Sequence, residues 1–132
     1  MRFEVTSALV VGALLPLLET IRRGVAYWTV HVTTMLEDYL AGGLLLAAGF
    51  LAIRARPSAP LCLVAAWAYV TCLMTNSLLY QVEATIRGVD LEPRNPAVLA
   101  FKLLLWGTGV ISLLLSLRRA AAQGRRQPDE KN

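Results

Sequence analysis

Charge is scarce in this sequence and histidine almost absent. Of 132 residues, 17% are charged and 56% hydrophobic, and the mean hydropathy is +0.53. A soluble domain of this size needs far more polar surface, so a water-soluble globule is excluded. The single histidine, His31, excludes bis-histidine haem ligation within one chain. The Glu-x-x-His pairs of bundle di-iron sites are missing too. The two cysteines, Cys62 and Cys72, share one apolar block. On a helix they would stand roughly 15 Å apart along the axis, too far to bridge. Without a CxxC or a zinc spacing, both read as small core residues. No Ser-His-Asp set, P-loop or GxGxxG occurs, which leaves soluble-type nucleophilic and nucleotide chemistry without support. No metal site is predicted, and the cofactor, if there is one, stays unknown.

What the sequence does have is apolar residues in long blocks rather than amphipathic stripes, the mark of membrane-spanning helices. The net charge of +4 and pI near 9.5 do not point to nucleic acid. Arg54, Arg56, Arg118, Arg119, Arg125 and Arg126 stand at the ends of the apolar blocks, where they set topology.

The blocks predict an all-α, integral membrane four-helix bundle in residues 1–119, with helices near 5–21, 34–53, 61–86 and 97–117. The first resembles a signal peptide in outline. However, Glu19-Thr-Ile-Arg-Arg23 offers no small-x-small cleavage site, so it is expected to stay as an anchor. Pro16 is a candidate kink. Residues 24–35, with Tyr27 and Trp28, read either as an interfacial helical stretch or as an early start of helix two. Gly42, Gly43 and Gly49 permit close helix contact. Residues 88–95 read as an exposed loop, and the polar tail 120–132 as unordered cytoplasmic chain.

With four spans, both termini and the 54–60 turn share one side. That side holds eight basic residues (Arg2, Arg54, Arg56, Arg118, Arg119, Arg125, Arg126 and Lys131) against four (Arg22, Arg23, Arg87 and Arg94) on the other. The positive-inside rule then places the termini in the cytoplasm (N-in, C-in) of a bacterial-type inner membrane.

Each helix also carries a polar residue that hydropathy would not choose. At about 1.5 Å per residue, Glu19, Glu37, Asp38, Asn76 and Lys102 all fall roughly 21–24 Å from the cytoplasmic ends of their helices. Ionisable groups at one level in a bilayer are tolerated when they face inward and pair, and Lys102 is the natural partner of the carboxylates. Asn76, Tyr80, Glu83 and Arg87 follow at one-turn spacings along helix three. His31 would join Asp38's face, and Arg22 and Arg23 stand a turn beyond Glu19. The expectation is a polar funnel opening outward from a closed, apolar inner half. A buried polar network that fixes helix register would use the same residues. Glu83 and Arg87 also read simply as a surface ion pair.

Helix two carries Glu37-Asp-Tyr-Leu-Ala-Gly42-Gly43-Leu-Leu-Leu-Ala-Ala-Gly49, followed by Arg54. This resembles the second helix of DoxX-like proteins, small four-helix membrane proteins in which an acidic residue precedes a glycine- and leucine-rich run and a basic turn. Asn95-Pro96-Ala and Leu103-Leu-Leu-Trp-Gly107-Thr-Gly109 are loosely similar to their fourth helix. The resemblance implies a subunit of a quinone-linked or thiol-redox membrane complex, with Glu37 or Asp38 at the matching acidic position.

The leading expectation is a protein whose outward-facing polar pocket binds a small amphiphile, a quinone or an isoprenoid lipid. Glu37, Asp38 and Glu19 would accept hydrogen bonds or transfer protons. Lys102, Asn76, His31, Tyr80, Glu83 and Arg23 would hold and orient the ligand. The alternatives are a membrane enzyme using the same carboxylates on a lipid-like substrate, a small oligomeric transporter, and an assembly subunit. The partners expected are the lipid bilayer, a hydrophobic small molecule, and further copies or subunits of a membrane complex; nucleic acid is not among them.

Overall fold

The computed structural model describes residues 2–24, 32–88 and 96–126. Within them the chain forms four helices, α1 (Phe3–Arg23), α2 (Val32–Ile53), α3 (Ala59–Arg87) and α4 (Pro96–Arg126). No strand occurs among the described residues. All four helices are long and apolar enough to cross a membrane. His31, residues 25–30 and 89–95, expected from the sequence to be an interfacial stretch and an exposed loop, and residues 127–132 of the expected tail lie outside the described residues. Residues 32–35 belong to α2.

The helices begin and end within about two residues of the predicted bounds, with one exception. α4 continues to Arg126, through a stretch expected to be unordered from Ala120 onward. The reason is local: Ala120, Ala121, Ala122 and Gln123 are strong helix formers, arginine tolerates a helix interior, and cations suit a helix C-terminus. At the end of α2, Ala55 takes φ 49°. Its N–H bonds Ala52 O at 3.1 Å and the Arg56 N–H bonds Leu51 O at 3.0 Å. This is the double carbonyl cap that usually uses glycine. Pro57 then prevents the helix from resuming.

The helices pack as a ring, α1 on α2, α2 on α3, α3 on α4 and α4 on α1, and α1 also reaches α3 across the middle. Neighbours run antiparallel. Leu9 meets Gly49, Gly12 meets Gly42, and Thr71 meets Gly109, while Ser7 bonds Ser112. Both chain ends and the α2–α3 turn therefore share one end of the bundle, here the terminal end. The opposite end, with Arg23, Val32, Arg87 and Pro96, is the far end.

The core is thin and made largely of small residues. Ala8, Val11 and Leu15 of α1 meet Ala41, Leu45 and Ala48 of α2, and Trp67 and Val70 of α3 fill the middle. Large apolar side chains point outward instead; Leu61 is 67% exposed, Leu104 66% and Ile86 80%. That arrangement suits a hydrocarbon solvent.

Glycine sets the tightest crossing, between α1 and α2. A β-carbon at Gly42 would stand 2.6 Å from Gly12 O and 2.8 Å from Pro16 Cδ. Pro16 has no N–H to offer the Gly12 carbonyl. That carbonyl lies instead against the Gly42 α-carbon, where a weak C–H···O contact is available. Gly49 likewise seats Leu9, whereas Gly43 meets nothing within 4 Å. The three glycines of α2 expected to mediate contact are thus two. Of the cysteines read as core residues, Cys62 is half-buried but Cys72 is exposed, because Cys72 falls on the outward side of α3.

Candidate functional site

The far end can be put in register from its hydrogen bonds. Thr20 Oγ1 donates to Pro16 O at 2.7 Å and lies 2.7 Å from Tyr39 Oη. Since the threonine proton is committed, the tyrosine hydroxyl donates. This bond brings Glu19 and Asp38, one residue before each partner, to the same height. On α4, Lys102 lies roughly 15 Å above Ser112, and on α1 Glu19 lies roughly 18 Å above Ser7. The Ser7–Ser112 bond, at 3.0 Å, ties those two rulers together. Glu19, Asp38 and Lys102 therefore occupy one level to within about 3 Å.

All three are half-buried, and each is engaged with other groups. Lys102 belongs to α4, which stands across the ring from α2.

The remaining predicted residues are placed differently. Glu37 and Asn76 are exposed on the bundle surface. Trp106 Nε1 donates to Thr75 Oγ1 at 2.9 Å, so Asn76 stands about one turn deeper than Lys102. Tyr80 is 58% exposed. Glu83 and Arg87 form an ion pair at 2.6 Å with side chains 54% and 70% exposed, the surface pairing that their spacing allows. The side chain of Arg23 and the whole of His31 lie outside the described residues.

The terminal end differs from expectation. The sequence predicts a closed, apolar end, yet among the described residues the buried polar ones, Glu4, Ser112 and Ser116, all lie there. Glu4, in the first turn of α1 and fully buried, forms an ion pair with Arg119. Trp67 Nε1 donates to Glu4 O at 3.3 Å, which explains why α1 reaches α3. Ser116 donates to Ser112 O at 2.8 Å, a bond that hides a hydroxyl within its own helix. Leu105, Gly109, Ser112, Ser116 and Arg119 recur at four- and three-residue steps. The inward face of α4 is thus small and polar, ending in a cation. That periodicity is legible in the sequence, whereas Glu4 and Arg119 read there only as flanks of apolar blocks.

Comparison of the chain with protein-family models, with curated proteins and with solved structures finds no match.

Proposed function

We propose that this chain is a small integral membrane protein, with its termini in the cytoplasm, that binds a small amphiphile at the polar level of its far end. The observation that carries the reading is the common height of Glu19, Asp38 and Lys102, half-buried on three different helices. Ionisable groups inside a membrane span are expensive and mark binding or proton-transfer sites by default. Two acids and one base suit a ligand with a polar, hydrogen-bonding head, such as a quinone or an isoprenoid alcohol or phosphate. Lys102 holds the charge of the carboxylates or of the ligand head, and Asp38 and Glu19 accept its hydrogen bonds. Glu37, Asn76 and Tyr80, being exposed, meet a ligand arriving sideways from the bilayer. The likeness of α2 to DoxX-like proteins agrees with a redox-complex subunit.

The test is native mass spectrometry, with an absorbance scan, of protein purified gently from its own membrane. A retained quinone or isoprenoid lipid is expected in the wild type, and at least a tenfold lower occupancy in Lys102→Met and Asp38→Asn. A bare chain, or one held only to another subunit, would overturn the binding reading in favour of an assembly role.

A further inference from the structure

The terminal end carries a cleft of about 580 Å3 between the α2–α3 turn and the start of α1. Its wall is apolar, from Val5, Ala52, Ile53 and Pro60, and Arg2, Arg56 and Gln123 also line it. A neighbouring recess of about 330 Å3 shares Arg2, Pro60 and Gln123 and adds Arg119. Arg2 and Arg56, from separate stretches of chain, therefore line the cleft itself, and Arg119 lines the recess beside it.

Their charges are poorly matched. Glu4 is the one carboxylate at this end among the described residues, and it is buried against Arg119. Arg2 stands near enough to Arg119 to repel it. Topology alone requires only that cations lie on this side. It does not require two guanidinium groups without a carboxylate to share a cleft with an apolar wall.

We propose that this cleft is a binding site for an anionic phospholipid, with the phosphodiester gripped by Arg2 and Arg56 and the start of the acyl chains laid on the apolar wall. The guanidinium fork matches phosphate oxygens two at a time. Gln123 offers an amide to the headgroup or ester oxygens. Ile53 and Leu61, 52% and 67% exposed, continue the apolar surface out of the cleft towards hydrocarbon. A free inorganic anion would have no use for that wall, and a zwitterionic lipid would bring its own cation against the arginines. Basic pockets between helices at the cytoplasmic face are where anionic headgroups bind. The site depends on the chain lying in a membrane, but not on the ligand proposed for the far end.

The experiment is a lipid titration followed by native mass spectrometry, on full-length protein in neutral detergent, with phosphatidylglycerol and phosphatidylcholine of equal chain length. The double variant Arg2→Gln/Arg56→Gln is compared with Arg118→Gln/Arg125→Gln, which removes the same charge from exposed positions outside the cleft. At about fivefold per arginine, the first pair should weaken phosphatidylglycerol binding roughly 30-fold, and the second less than about threefold. Matching helical melting curves establish that both variants are folded. Should the first pair unfold, Arg2→Lys/Arg56→Lys replaces it, and that variant should keep the preference for the anionic lipid but bind it more weakly. Equal losses in both pairs, or equal binding of the two lipids by the wild type, would overturn the proposal. So would displacement of the lipid by an equimolar amount of inorganic phosphate.

Discussion

Glu4 and Arg119 are an ion pair with unequal access to water. The glutamate side chain is 1% exposed and the arginine side chain 37%. Removing one partner of a fully buried pair costs about 3–5 kcal/mol, because the charge left behind keeps its desolvation penalty. Arg119 can reach water, so the figure here should be nearer 2 kcal/mol. Glu4→Gln is therefore expected to destabilise the bundle by about 2 kcal/mol, since it leaves Arg119 facing Arg2 with no counter-charge. Arg119→Gln alone strands the carboxylate and should cost at least as much. The double variant should lose clearly less than the sum. Reversible unfolding in mixed micelles reads all three, and strictly additive losses would mean that the pair carries no coupling. Glu83→Gln is the contrasting case: its pair with Arg87 is exposed on both sides and should be worth under about 0.5 kcal/mol.

At the scale of the element, the closest approach of α1 and α2 turns on a single hydrogen atom. Gly42→Ala would drive a methyl group into a backbone carbonyl and a proline ring, neither of which can rotate away. The helices must then separate, at about 1–3 kcal/mol. Gly43→Ala places the same methyl in open space and should be neutral or slightly stabilising through helix propensity. Thermal unfolding of the two variants, side by side, checks this; equal melting temperatures would sink it. The pair also shows what the sequence could reveal. Helix number, order and nearly all the helix ends were legible, because long apolar blocks bounded by Arg54, Pro57 and Pro96 leave few alternatives. Which of two adjacent glycines faces α1 depends on helix rotation, and an apolar helix hydrophobic on all sides carries no amphipathic signal to fix it. Residue counts give Glu19, Asp38, Asn76 and Lys102 a common height, yet Asn76 stands about one turn deeper. Without an amphipathic signal, the exposure of Glu37 and Asn76 could not be assigned. The inward turn of Glu4 was hidden for a different reason. Charges at the ends of apolar blocks are expected at the headgroups, whereas Glu4 is buried where Trp67 Nε1 bonds its carbonyl and Arg119 pairs with its carboxylate.

At the scale of the whole molecule, the proposed membrane topology turns on the two ends of the bundle. The fold puts the α2–α3 turn, the start of α1 and the end of α4 together, so the arginines of these three segments lie at one end of the bundle. The helical extension of α4 matters here. It keeps Arg118, Arg119, Arg125 and Arg126 close to the end of the span, within the distance over which basic residues orient a helix. Pairing of Arg119 with Glu4 and of Arg87 with Glu83 does not alter the balance, because acidic residues contribute little to the rule. We therefore expect the terminal end in the cytoplasm. In a chain carrying Cys62→Ala and Cys72→Ala, a cysteine placed at Ser58 in the turn should be shielded from a membrane-impermeant maleimide in intact cells and labelled only after lysis. A cysteine at Asp90, between α3 and α4, should be labelled from outside. The reverse pattern would invert the bundle and carry the proposed phospholipid cleft to the outer leaflet. It would also turn the polar level of Glu19, Asp38 and Lys102 towards the cytoplasm. Labelling of both positions from outside in different molecules would mean that the eight-to-four excess of basic residues is too small to choose one orientation. Replacing Arg22 and Arg23 with glutamine should then restore a single population with the termini inside.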